Sequence, residues 1–295
     1  MEHGFASCHP AVNFIFFAGA ILFGMFFVHP LFLVISLGAS VGYYLLLKRR
    51  RGLWPLAGTA VLFAVVALFN PIFNARGDTV LFRWLENRPF TLEALLYGCA
   101  TAGMCVTVLL WFACYNKVMT NDKFTYLFGR FIPAVSLMLC MVLRFVPSLQ
   151  KKAAAVADVR RCIGKAPECG SVGERLNSGM TILSALTTWA LEGAAGTADT
   201  MRSRGYGCGE RSAFSVYRYT GRDIALGILL LSCVADIFLC ALAGGMDVVY
   251  LPQLQLLQSG TATICGAVGY GIFLMVPIGL ELWEEITWRV LQSKT

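Results

Sequence analysis

Residues 94–114 run for 21 positions without one charged side chain. A helix rises about 1.5 Å per residue, so a stretch of that length reaches across the roughly 30 Å hydrocarbon layer of a bilayer. Five further apolar runs lie at 11–28, 31–47, 53–69, 224–243 and 261–280. Together they predict an all-α polytopic membrane protein with about six transmembrane helices. Composition agrees: 57% of the 295 residues are hydrophobic and only 14% are charged, against roughly 25% in an ordinary soluble domain. That leaves too little polar surface to coat a soluble particle, and the same balance excludes intrinsic disorder.

The chain divides into three parts. Residues 1–114 form an N-terminal membrane part with four spans, at 11–28, 31–47, 53–69 and 94–114. Only His29-Pro30 separates the first two runs, which read either as two short spans with a tight turn or as one broken segment. Asn70-Pro71 closes the third run. Residues 224–295 carry the last two spans. The first nine residues hold no Lys or Arg, so no signal peptide is expected. The knot Lys48-Arg49-Arg50-Arg51 sets the orientation, since basic residues stay in the cytoplasm. Both termini then fall inside. The segment 70–93 falls outside, with Arg76, Arg83 and Arg88 balanced by Asp78, Glu86 and Glu93. The segment 245–260 also falls outside and has no Lys or Arg.

The middle part, 115–223, lies in the cytoplasm or at the membrane surface. It holds 15 basic and eight acidic residues, and so the whole net charge of +7. The apolar run 131–143 is too short for an ordinary span and fits a buried or re-entrant helix, because Arg144 and Pro147 follow it. Two helices are predicted here, at about 132–161 and 174–203. In the first, Val146, Leu149, Ala153 and Val156 recur at helical spacing, with Lys151, Lys152, Asp158 and Arg160 on the other side. Gly164, Pro167 and Gly170 stop it. The second opens on a capping box, Ser171 with Glu174. Leu176, Met180, Leu183 and Thr187 continue its less polar stripe, and Gly205 serves as its C-cap. Each helix ends in arginine near glycine. Such arginines can reach a partner carboxylate in a bidentate fork, or they can simply obey the charge rule and meet lipid headgroups.

Smaller signals weigh less. Most of the 11 cysteines lie in apolar runs, where a thiol is a small hydrophobe, and no CxxC spacing suggests a metal or redox pair. His3, His9 and His29 are scattered, so no metal site is expected. Asp236 lies inside the fifth span and is a candidate intramembrane polar contact; Arg222 and Asp223 read as interface charges. Gly38 and Gly42, like Gly266, Gly269 and Gly271, permit close helix contact. Arg76-Gly77-Asp78 resembles an integrin-binding tripeptide by chance. No G-x-x-x-x-G-K-[ST] loop exists, so the chain binds no ATP of its own by that route. The basic residues follow topology rather than a nucleic-acid motif.

Several stretches resemble the transmembrane T component of energy-coupling factor transporters, including the cobalt-transport type. Leu143-Arg144-Phe145-Val146-Pro147 resembles the element that opens that family's first coupling helix. Met201-Arg202-Ser203-Arg204-Gly205-Tyr206-Gly207 resembles the second of its two Ala-Arg-Gly signatures, with Ser203 in the alanine position. Asn70-Pro71 and Thr91-Leu92-Glu93-Ala94 are similar to its third and fourth spans. The first signature departs: in Val159-Arg160-Arg161-Cys162-Ile163-Gly164 the glycine is displaced, and either Arg160 or Arg161 is the equivalent arginine, with Arg161 favoured. The resemblance implies a non-catalytic scaffold of an ABC-type importer with no cofactor. ATP would be bound by two cytoplasmic ATPase partners, docked at Arg160, Arg161, Ser203, Arg204 and Gly205. A small membrane-embedded S component would capture a vitamin or metal ion, in the plasma membrane of a prokaryote. The alternative is a self-contained secondary carrier or other integral membrane protein. A carrier calls for two matching halves with broken helices, which this sequence does not show.

Overall fold

A computed structural model describes residues 4–48, 52–73, 79–84, 88–129, 132–164, 171–209, 217–244, 248–249, 255–256 and 260–293. His3, Arg49–Arg51, the Arg76-Gly77-Asp78 tripeptide, Glu86, the stop signals Pro167 and Gly170, Cys169, and most of 245–259 lie outside these residues. The chain is helical, with nine helices among the described residues: α1 (Pro10–Phe26), α2 (Pro30–Lys48), α3 (Leu53–Phe73), α4 (Leu92–Val118), α5 (Asn121–Gly129), α6 (Pro133–Cys162), α7 (Val172–Ser203), α8 (Gly221–Leu242) and α9 (Thr261–Ser293). Two short antiparallel hairpins interrupt this order: β1 (Val80–Trp84) with β2 (Arg88–Thr91), and β3 (Val248–Val249) with β4 (Gln255–Leu256). The first falls in the connection after α3, where Val-Leu-Phe-Arg-Trp supplies branched and aromatic residues suited to a strand.

By length and composition, α2, α3, α4, α6, α8 and α9 are each able to cross a membrane, which defines a multi-pass membrane protein. Helix α1 has 17 residues and is apolar but shorter. The set therefore differs from the sequence reading in one member. Helix α6, read from the sequence at about 132–161, carries the apolar run 131–143 on through Pro147 over 30 residues, and that length brings it into the set in place of α1. Helix α3 likewise runs on through Pro71 to Phe73 instead of ending at Asn70. Membrane helices tolerate an internal proline because neighbouring groups take up the freed backbone carbonyl.

Two compact units arise. The first is Met1–Lys123 with Tyr217–Thr295, and the second is Phe124–Val216. In the first, α4 packs against α1, α2 and α3, while α9 packs against α2 and α8. Its core is aromatic. Phe16, Phe17, Tyr43 and Trp111 are fully buried, with Phe16 against Trp111 at 5.5 Å and against Phe273 at 5.2 Å between ring centroids. Tyr270 donates to Ser36 Oγ at 2.9 Å, so its hydroxyl is satisfied within this apolar centre. The α3–α4 contact depends on Gly98: a Cβ there would lie 2.6 Å from the Ala67 carbonyl oxygen. Among the described residues, a Cβ on Gly38 would meet nothing within 4 Å and one on Gly42 only Ile278 Cδ1 at 3.8 Å. The close approach expected of that pair falls to Gly98 instead, while Gly269, read the same way in the last span, does lie against Asp236.

In the second unit α6 and α7 lie side by side. Phe145 stacks on Trp189 at 5.5 Å with an interplanar angle of 8°. Lys152 Nζ stands 3.4 Å from the centroid of the same indole. The capping box at Ser171 is present, with Glu174 N donating to Ser171 Oγ at 3.4 Å and Ser171 N donating to Glu174 Oε2 at 2.8 Å.

Candidate functional site

The arginine-bearing ends of α6 and α7 terminate by the same backbone device. At the end of α6, Ile163 is the C-cap and Gly164 takes a left-handed φ of +73°. At the end of α7, Arg204 is the C-cap and Gly205 has a φ of +78°. Glycine adopts that conformation without the steric cost a Cβ imposes, and it turns the chain back over the last carbonyls. Gly164 N donates to Arg161 O at 3.1 Å, Gly205 N donates to Arg202 O at 3.0 Å, and Tyr206 N closes onto Met201 O at 3.0 Å. Positive side chains here also complement the negative end of each helix dipole.

The two adjacent arginines of α6 face different ways. Arg160 donates to Ser178 Oγ on α7 at 3.1 Å, and its Nε is buried without a hydrogen-bond acceptor among the described residues. It ties the end of α6 to the start of α7. Arg161 is on the open side, its side chain 48% exposed and paired with Asp158 at 3.0 Å. An ion pair so exposed is worth little and is exchanged readily for a better partner. Ser203 closes α7, and its hydroxyl donates back to Thr200 O at 3.0 Å. Arg204 and Gly205 are exposed.

Arg160–Ser178 and Lys152–Trp189 together fix the two helices as antiparallel. Arg161 therefore sits at one end of the pair and Arg204 at the other, with about 40 Å of α7 between Ser178 and Arg204. The structure does not bring the predicted tips together; it holds them apart. Superposing the two ends on their left-handed glycines pairs Arg161 with Arg202, and Ile163 with Arg204. Arg202 is thus a tip residue that the tripeptide pattern passes over. The count back from glycine was the signal for it.

Around the end that meets Arg160, α7 presents an apolar surface. Leu176, Met180 and Leu183 are exposed, and with Val172, Arg175 and Gly179 they line a shallow groove. The other sequence-marked charges lie in the first unit. Asp236 lines a groove between α8 and α9. Asp223, read from the sequence as an interface charge, is instead buried. It accepts from His9 N at 3.1 Å through one oxygen, and from Thr220 N at 3.1 Å and Thr220 Oγ1 at 2.7 Å through the other. The His9 ring stacks on Tyr219 at 3.8 Å. Glu93, from the fourth-span motif, accepts from Thr79 Oγ1 at 2.6 Å and so closes the base of the first hairpin.

These features define a multi-pass helical membrane protein with a second unit whose two long helices end in exposed arginines. No family model matches the chain. It is 31% identical over 112 residues to the energy-coupling factor transporter transmembrane protein EcfT of Exiguobacterium sibiricum. The match takes in 38% of this chain and 42% of that protein, so the chain spans about two fifths of the length of the curated relative it matches. The resemblance to the T component drawn from the sequence motifs is borne out by this match.

Proposed function

We propose that this chain is the scaffold and transducer subunit of an energy-coupling factor importer. It catalyses nothing itself and passes the closure and opening of two cytoplasmic ABC-type ATPases to a small membrane-embedded S component that captures a vitamin or metal ion. The observation that carries this reading is the pair of arginine-bearing, glycine-capped helix ends held about 40 Å apart on one rigid α6–α7 pair. Two separated tips suit two ATPases, one at each. The Phe145–Trp189–Lys152 stack and the Arg160–Ser178 bond stiffen the connection, so displacement of one tip moves the whole pair. The exposed Leu176, Met180 and Leu183 face is the surface offered to the S component. The basic knot then lies on the ATPase side of a prokaryotic plasma membrane, with both termini inside.

Co-purification in mild detergent tests the reading. The wild-type chain, expressed with its genomic neighbours, brings down two P-loop ATPase chains and one small membrane protein. Arg161→Glu with Arg204→Glu releases the ATPases while the melting temperature of the chain is unchanged. A double variant that keeps an active, fully assembled complex would overturn the docking model.

A further inference from the structure

Asp236 lies in the membrane-spanning part of α8, thirteen residues beyond Asp223 and six before Leu242. That places it roughly 20 Å along the helix from the His9–Asp223 end. Its carboxylate rests against Gly269 of α9, where any Cβ would collide with Oδ2. It forms the polar floor of a groove of about 660 Å³. Ile264, Val268 and Ile272 wall the groove and are exposed, so it is open along one side.

No described residue of this chain balances the charge. Among the described residues Asp236 accepts no hydrogen bond and pairs with no cation. The connection 245–260 between α8 and α9 contains no Lys or Arg, and Arg222 belongs to the opposite end of α8. A carboxylate at this depth is costly unless something compensates it, and intramembrane acids characteristically pair with a cation or line a polar path. A polar path is not what surrounds it: Ser232 and Thr261 are the other oxygen-bearing side chains of the groove, and the rest of the lining is apolar. The shape fits a rod with an apolar surface, and the charge calls for one basic group on it.

We propose that the α8–α9 groove seats a transmembrane helix of a second membrane protein, whose lysine or arginine at matching depth pairs with Asp236. The groove shares no residue with the arginine tips of α6 and α7, and the pairing needs neither ATPase. Small residues beside the basic one would let that helix approach Gly269 closely.

Dicyclohexylcarbodiimide tests this in intact membranes. The reagent adds to the Asp236 carboxyl to give an O-acylisourea. A neighbouring lysine amine then attacks the acyl carbon, forming an amide and expelling dicyclohexylurea; with no amine in reach, the adduct rearranges to a stable N-acylurea. In membranes containing the chain by itself, mass spectrometry should find the N-acylurea on Asp236. In membranes where the chain is expressed with its genomic neighbours, that product should fall about tenfold. If the basic residue is lysine, Asp236 should appear in an amide cross-link to an apolar segment of another protein. Asp236→Asn removes both products and keeps the melting temperature. Equal labelling in the two membranes would overturn the proposal. So would a cross-link to phosphatidylethanolamine alone, or protection of the isolated chain by sodium or potassium salts. The Arg161→Glu/Arg204→Glu chain, run in parallel, keeps Asp236 protected, so failure at the tips and failure at the groove are read separately.

Discussion

Asp223 links two helix starts that are far apart in the chain. With Thr220 it forms the capping box of α8, and the same carboxylate accepts from the backbone of His9, the N-cap of α1. Losing a cap costs about 1 kcal/mol and losing a buried hydrogen bond to a charged group about 1.5–3 kcal/mol. Asp223→Ala should therefore destabilise the chain by about 3 kcal/mol, and Asp223→Asn by less; detergent melting curves give both. Thr220 and Asp223 have capping-box spacing, but the link to His9 was not legible in the sequence, because His9 and Asp223 are 214 positions apart and a charge at a helix end looks like an interface residue. His9 at this joint and His29, beyond the far end of α1, add a pH dependence. Burial lowers the pKa of His9, though Asp223 acts against the shift, and burial alone lowers that of His29. The folded chain thus takes up protons on both imidazoles at lower pH than the unfolded chain, which binds them below about pH 6.5. Stability contributed by these sites is present above that pH and is lost as the pH falls through the window just below it. His29→Asn keeps an acceptor for Leu31 N, which His29 Nδ1 now bonds at 3.3 Å. Melting temperatures from pH 7.5 to 5.5 should fall less for that variant than for wild type; parallel curves would refute the assignment.

Helices were the legible elements, and their contacts were not. Apolar runs of span length predict α2, α4 and α8 closely, and Ser171 with Glu174 marks the start of α7 because both halves of a capping box lie within four residues. Pro71 misled, since a proline that ends a helix in water does not end one among packed neighbours in a membrane. Small-residue spacing pointed to Gly38 and Gly42, yet which face of a span meets another helix is a tertiary fact. Gly98→Val should cost about 1–3 kcal/mol through collision with the Ala67 carbonyl, whereas Gly38→Ala, with open space around it, should be neutral or slightly stabilising. Paired thermal melts decide this. In the second unit Trp189 is held between Phe145 and Lys152. An aromatic pair and a cation–π contact together contribute about 1–2 kcal/mol, so Trp189→Ala should raise hydrogen exchange in the middle of α6 and α7 while leaving the first unit protected. Uniform exchange across both units would refute the local role.

Viewed as a whole molecule, the arginines fall into those that hold the chain together and those it presents to others. Arg160 belongs to the first kind, with one donor on Ser178 and the remainder of its head partly enclosed. Arg161, Arg202 and Arg204 belong to the second. Counting from the left-handed glycine puts Arg161 and Arg202 in equivalent places and leaves Arg204 without a counterpart, since Ile163 occupies that position in α6. The two ends are therefore unequal, with one presented arginine on α6 and two on α7. If the tips dock ATPases, Arg161→Glu and Arg202→Glu should each weaken ATPase binding by a similar factor, on the order of tenfold or about 1.4 kcal/mol. Arg204→Glu should weaken it more, because the C-cap residue stands furthest out at the end of the helix. Arg160→Ala should behave differently, lowering the stability of the α6–α7 pair and affecting docking only through that loss. Binding of the purified ATPases to each detergent-solubilised variant, measured beside its melting curve, separates the two classes. Equal loss from all four substitutions, or loss from Arg160→Ala with an unchanged melting curve, would show that the division of labour read from the two helix ends is wrong.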